Sequence, residues 1–253
     1  IRQMNLSEKK IAPCRGCFAC WNKTPGKCVM TDDMREGIEG ELWADLMIWS
    51  FPLYYFSVPG LLKNFIDRQL PMNLPFMEEQ EGQTGSGGHP SRYDMSGKRH
   101  LLISTCGFYT AKNNYDSVTK LFDHVCGAGQ YESIFCGQGE LFRVPELKAR
   151  TDEYLECVRQ AGREYAQKQA ISEDAKEKLR ELLYPRDVFE KMADASWGIN
   201  KTTGEKEPED LVFTRQMAAL YNKDAYDGKE RVLEIHFTDL DHTYQIRLNK
   251  IGS

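Results

Sequence analysis

Several familiar signatures are missing from this chain, and each absence removes a class of function. No apolar run approaches the ~20 residues a bilayer-spanning helix needs, and Ile1 to Lys10 hold no apolar stretch of the signal-peptide kind. Basic charge is not in excess: 33 Lys and Arg stand against 38 Asp and Glu, giving −5, which argues against a nucleic-acid partner held by bulk positive charge. Neither a G-x-G-x-x-G nor a P-loop pattern occurs, which counts against a Rossmann dinucleotide site and against an NTPase. The histidines, His89, His100, His124, His236 and His242, are scattered, and none stands beside a Ser or Cys nucleophile motif. Hydrolytic catalysis therefore has no support, and no residue is assigned as catalytic acid, base or nucleophile. Cysteines are too sparse, 8 in 253 residues, for a small disulfide framework, which leaves reduced thiols or metal ligands. A soluble, intracellular globular protein with no membrane span is the expectation.

What is present suffices for a sizeable core: 253 residues, of which 41% are hydrophobic and 28% charged. Ile1 to Leu6 reads as a short strand, followed by an irregular Cys-rich stretch and a helix capped at Asp32 or Asp33 that runs toward Leu42. Ala44 to Ser50 is a strand whose lack of alternation predicts burial on both faces, as in a parallel sheet. Ser57 is the predicted N-cap of a helix carrying Leu61, Leu62, Phe65 and Ile66 on one face, with Pro59 in its first turn. Residues 71–98, rich in Gly and Pro around Gly85-Ser86-Gly87-Gly88, read as a lid or binding loop. Strands at His100–Thr105 and Tyr131–Cys136 alternate with helices at Asn114–Cys126 and Thr151–Gln169, which predicts an α/β parallel sheet.

Charged residues then crowd positions 146–210, where Ser172 caps a solvated helix that Pro185 stops. A polar linker, Lys201 to Asp210, leads to a helix (Phe213 to Tyr221) and two alternating runs, Val232–Phe237 and Tyr244–Leu248, that signal an antiparallel hairpin. The expected division is a first domain at 1–169, a charged helical linker at 170–210, and the start of an α+β unit at 211–253. The chain opens on Ile1 rather than Met and closes directly after a strand-like run, so both ends are expected to be cut.

Ligands of open parallel sheets sit beyond the carboxyl ends of the strands. Two such ends stand out: Phe51-Pro52-Leu53-Tyr54-Tyr55-Phe56-Ser57, which is crowded with aromatics, and Ser104-Thr105-Cys106-Gly107-Phe108-Tyr109, which adds a glycine and small polar groups. They describe either a slot for a flat conjugated ligand or aromatics that merely close the end of a core. The run Cys14, Cys17, Cys20 and Cys28 (C-x2-C-x2-C-x7-C) holds enough thiolates for an iron–sulfur cluster, and its first three repeat bacterial ligation spacing. Free thiols are the second reading and zinc the third, although zinc usually takes two separated pairs.

Taken together, Pro13-Cys14-Arg15-Gly16-Cys17-Phe18-Ala19-Cys20-Trp21, Pro25-Gly26-Lys27-Cys28, Asp32-Asp33-Met34, Pro52-Leu53-Tyr54-Tyr55 and the run Val58 to Arg68 resemble the flavodoxin-like NAD(P)H-dependent FMN reductases, in their iron–sulfur flavoprotein branch. The resemblance spans about residues 1–165. It implies a five-stranded doubly wound sheet with FMN at the strand ends. Hydride from NAD(P)H would pass through FMN to a quinone, a flavin or another small-molecule electron acceptor. It also implies a cytoplasmic homodimer or homotetramer. By matching positions, Pro52, Leu53, Tyr54, Tyr55, Phe56 and Ser57, with Thr105, Cys106, Gly107 and Phe108, would border the flavin ring, and Cys14, Cys17, Cys20 and Cys28 would hold a 4Fe–4S cluster. The family's first strand, phosphate loop and first helix would lie ahead of Ile1, so the ligands of the FMN phosphate are expected upstream. Leu211 to Ser253 resembles the opening of the sterol carrier protein family at Met217, Leu220-Tyr221-Asn222 and Val232–Phe237. The alternatives to an FMN reductase are thus an iron–sulfur electron-transfer or redox-sensing protein and a non-enzymatic lipid-binding protein.

Overall fold

The computed structural model describes residues 1–79, 87–221 and 226–250. Gly85 and Ser86 of the predicted loop, Asn222, and Ile251 to Ser253 lie outside them. The elements in order are α1 (Ala19–Asn22), α2 (Met34–Trp43), β1 (Leu46–Pro52), α3 (Gly60–Asp67), β2 (Glu78–Glu79), β3 (Gly87–Gly88), β4 (Arg99–Thr105), α4 (Asp116–Cys126), β5 (Tyr131–Cys136), α5 (Lys148–Lys168), α6 (Glu173–Arg180), α7 (Arg186–Trp197), α8 (Glu209–Ala219), β6 (Arg231–Phe237) and β7 (His242–Leu248). They divide into two compact units, Ile1–Glu181 and the remainder from Leu182.

The first unit is built on a parallel sheet in the order β1-β4-β5. Register runs from Leu46↔Arg99 to Pro52↔Thr105 and from His100↔Tyr131 to Thr105↔Cys136, so all three strands finish side by side. Among the described residues this sheet has three strands, where the resemblance implies five.

One core cluster packs against a single face of this sheet. Met47, Trp49 and Phe51 of β1 alternate inward against α3 and α4, with Trp49 edge-on to Phe65 at 5.9 Å and to Phe122 at 5.7 Å, and Phe51 parallel to Phe122 at 6.1 Å. Aromatic burial of this kind contributes about 1.5–3 kcal/mol per ring. β1 is not buried on both faces as its composition predicts. Ile48 is 56% exposed and Ser50 is exposed, because a strand alternates its side chains and only the odd positions meet helices. Tyr154, Ala161 and Tyr165 of α5 are buried, and the Tyr154 hydroxyl donates to the Leu179 carbonyl of α6 at 3.1 Å.

Local chemistry moves several predicted boundaries. Ile1 to Leu6 forms no strand; a single 3-10 turn, Leu6–Glu8, is started by the Asn5 side chain, which accepts from the Ser7 amide. Asp33 sits at the N-cap of α2 but turns its carboxylate to the Lys10 amide at 2.7 Å, and Asp32 instead accepts from the Met34 amide. Pro59 rather than Ser57 precedes α3. Ser172 does cap α6 through the Ala175 amide, yet that helix stops at Arg180, and Pro185 starts α7 rather than ending α6. Residues 71–98 are not a bare loop in their described part, since Leu74 donates to Pro90, Arg92 donates to Met72, and β2 pairs antiparallel with β3.

In the second unit α8 precedes the predicted hairpin, with register Arg231↔Leu248 to Phe237↔His242. Phe213 of α8 meets Phe237 edge-on at 5.9 Å. Buried Asp210 accepts from the Tyr244 hydroxyl at 3.0 Å and lies 2.7 Å from His242 Nδ1. No helix among the described residues is long and apolar enough to cross a membrane.

Candidate functional site

Because β1 and β4 end in register, the two loops singled out in the sequence meet at one edge of the sheet. The Leu53 amide extends the ladder by donating to the Thr105 carbonyl at 2.8 Å. Tyr54 and Ser57 then close a tight turn through reciprocal amide–carbonyl bonds of 2.9 and 3.0 Å. Its two central residues, Tyr55 (φ +47°) and Phe56 (φ +62°), are both left-handed. Asn-Gly normally occupies such a turn; each bulky residue held there costs on the order of 1–3 kcal/mol, and strain of this kind concentrates at functional sites.

The strain holds aromatic surface outward. Tyr55 is 97% exposed, and Phe56 stacks on Phe108 at 5.2 Å with 20° between the rings, joining the first loop to the second. Ser117 of α4 donates to the Phe56 carbonyl and braces the turn. Tyr54, Tyr55, Phe56 and Phe108 thus offer exposed rings, while Pro52 and Gly107 are exposed and Ser57 and Thr105 half-buried beside them. Leu53 and Cys106 are buried, so these two present backbone to the site. Burial raises the pKa of the Cys106 thiol and pushes that of Cys136 up to about 11, which keeps both protonated and inert at neutral pH.

A third loop, absent from the sequence reading, supports the other two. Gln138, fully buried and left-handed (φ +58°), donates from its amide to the Phe108 carbonyl at 2.7 Å and from its side chain to the Tyr109 carbonyl at 3.1 Å. A Cβ on Gly137 would come within 2.8 Å of the Thr110 Cα, and one on Gly139 within 2.8 Å of the Thr105 Cβ. Cys136-Gly137-Gln138-Gly139 follows the third strand directly, so the strand-end rule itself was the available signal. Glu140, next in the chain, sits against Gly107, and burial raises its pKa.

The four clustered cysteines also converge. Left-handed Gly16 (φ +61°) and Phe18 (φ +52°) flank Cys17, and Cys14, Cys17, Cys20 and Cys28 line one shallow recess, partly open to solvent. Cys20 is buried, Cys28 half-buried, Cys14 and Cys17 exposed. Burial, reinforced by the neighbouring sulfurs, raises the Cys20 pKa. Among the described residues no three His, Cys, Asp or Glu stand at ion-coordinating separation, so ligation would have to draw exposed Cys14 and Cys17 inward.

Behind the recess lies Arg68, 1% exposed at the C-terminus of α3, bonded through Nη1 and Nη2 to Asp32 and through Nη1 to the Ala12 carbonyl. The 71–98 excursion also packs on this segment, with Trp21 and His89 ring centroids 4.7 Å apart and the Arg92 side chain against Gly26. α3 begins three residues after the aromatic turn and ends one residue before Arg68, so a helix about 12 Å long, at 1.5 Å per residue, links the two sites along the chain.

A family model described as flavodoxin-like fold matches residues 5–161, more than half of the chain, and the chain belongs to that family. It is 41% identical over 71 residues to an iron–sulfur flavoprotein of Archaeoglobus fulgidus, covering 28% of this chain and 31% of that protein. It is 33% identical over 115 residues to the ribosyldihydronicotinamide dehydrogenase [quinone] of Mus musculus, covering 44% and 45%. The chain spans about a third of the length of the iron–sulfur flavoproteins it matches. Among solved structures, an FMN-dependent NADH-azoreductase from Bacillus anthracis in complex with FMN aligns with 54% of this chain and 68% of its own, at TM-score 0.36 and 18% identity.

Proposed function

We propose that this member of the flavodoxin-like fold family is an FMN-dependent oxidoreductase, reduced by NAD(P)H and passing electrons to a quinone, a flavin or another small acceptor. The observation that carries the reading is the Phe56–Phe108 stack at the in-register ends of β1 and β4, flanked by Tyr54 and Tyr55 on a strained turn. Exposed rings held at a conformational cost need a ligand, and an isoalloxazine offers the flat apolar face and hydrogen-bonding edge that this surface matches.

Bound FMN would supply hydride and electron transfer, which is why the chain needs no acid, base or nucleophile of its own. The residues' work is positioning. Tyr54, Tyr55, Phe56 and Phe108 would offer the ring aromatic surface and shield it from water, and the backbone at Pro52–Ser57 and Thr105–Gly107 would address its edge. The donor set of Cys14, Cys17, Cys20 and Cys28 suits an iron–sulfur cluster once exposed Cys14 and Cys17 are drawn inward: the four residues line one recess, and beside them lies a buried guanidinium nitrogen that has no partner among the described residues. The names carried by the partial relatives, iron–sulfur flavoprotein and quinone dehydrogenase, point the same way. A cytoplasmic homodimer or homotetramer completes the reading.

Anaerobic purification followed by an absorption spectrum and by flavin, iron, sulfide and zinc analysis tests it. Stoichiometric FMN together with iron and sulfide is the expected result. Zinc in place of iron removes the cluster, and a chain that takes up no FMN when it is supplied overturns the function.

A further inference from the structure

The Arg68 side chain is 1% exposed, and its two terminal nitrogens are committed: Nη1 to Asp32 Oδ2 and the Ala12 carbonyl, both at 2.7 Å, and Nη2 to Asp32 Oδ1 at 2.8 Å. Nε is buried and has no hydrogen-bond partner among the described residues. A buried guanidinium N–H left unpaired costs on the order of 1–3 kcal/mol or more, so an orphan of this kind calls for an explanation. Arg68 lines the recess together with the four cysteines.

We infer that Arg68 is a positioning residue for the iron–sulfur centre, its free Nε–H donating to a sulfur in the recess while its charge favours the more negative, reduced state. The inference rests on the cluster reading above. The geometry suits the task, because Asp32 and Ala12 fix the guanidinium plane from one side and leave one donor aimed away from them. Hydrogen bonds to the sulfurs and nearby charge are among the terms that set the potential of such a centre. Lysine cannot replace this arrangement: its ammonium supplies charge but cannot hold Asp32 and Ala12 and also present a fixed donor to the recess.

The test compares wild type with Arg68→Lys, Arg68→Gln and Asp32→Asn after anaerobic reconstitution with iron and sulfide. The readouts are iron and sulfide per chain, the rate of iron loss to a chelator, and the midpoint from a spectroscopic redox titration. Both Arg68 variants are expected to lose iron 10–100-fold faster than wild type. They should also titrate at a lower midpoint, by about 59 mV for each tenfold loss of preference for the reduced form. Asp32→Asn loosens the loop but keeps the Nε–H, so it speeds iron loss without lowering the midpoint. If Arg68→Gln does not fold, Arg68→Lys decides the matter alone. A wild-type chain that takes up no iron and sulfide overturns the cluster reading and this inference together. A loaded wild type whose Arg68 variants keep its midpoint overturns the inference alone, whatever their iron retention.

Discussion

Arg68 and Asp32, thirty-six positions apart, form a two-pronged ion pair that ties both ends of the cysteine-bearing segment to α3. Asp32 Oδ2 accepts from the Ala12 amide at 3.1 Å while Arg68 Nη1 donates to the Ala12 carbonyl, so a single residue two before Cys14 is held from both sides. The hydrogen bonds to Arg68 hold the Asp32 carboxyl below its usual pKa range. Removing one partner leaves the other charge buried and unpaired, and Asp32→Asn should destabilise the first unit by about 3–5 kcal/mol in denaturant unfolding. A depressed carboxylate pKa contributes stability that is present above its unfolded value and lost as pH falls through the folded one. Wild type should therefore lose this contribution at acid pH, and the variant should show a shallower acid limb.

Tyr55→Gly places glycine where φ is +47°. The apoprotein should gain about 1 kcal/mol in stability, because the strain disappears and the side chain removed is almost fully exposed. FMN affinity should fall in the same variant. Thermal melts with and without FMN check both halves.

Gly137→Ala drives a methyl group to within 2.8 Å of the Thr110 Cα, a backbone atom that cannot rotate away. Overpacking of this kind costs about 1–3 kcal/mol. The 105–110 loop should shift, and flavin titration should report weaker binding even though residue 137 touches no ring.

Glu41 tests the core. Burial raises its carboxyl to about 7, and the Gln69 amide donates to it at 2.5 Å. Since the folded pKa lies above the unfolded one, the folded state binds more protons between them and stability falls as pH rises from about 4.5 to about 7. Glu41→Gln keeps the hydrogen-bond acceptor and removes the charge. At pH 8 it should stabilise the protein by about 3 kcal/mol and flatten this slope.

Much of this was legible in the sequence. Apolar runs placed all three parallel strands, Tyr131–Cys136 to the residue, because a short apolar run bounded by turn residues is a local signal, although the burial of β1 on both faces was not borne out. The two aromatic loops followed from the strand ends, and the structure joins them through Phe56 and Phe108. What could not be read depends on partners far along the chain. Ser57 is a good cap in isolation, yet it is taken by Tyr54 in a turn whose left-handed residues no propensity favours. Asp33 is drawn off its helix by Lys10. Gln138 and its flanking glycines matter only because they reach Phe108, Tyr109 and Thr110, and Arg68 only because Asp32 returns beside it.

FMN affinity measured by flavin fluorescence for wild type and for Tyr54→Ala/Tyr55→Ala bears most directly on the function. Loss of two stacking rings should weaken binding about tenfold or more, at 0.5–1.5 kcal/mol per aromatic contact. Equal affinity in the double variant, with the fold intact by circular dichroism, would contradict the placement of the flavin on this turn.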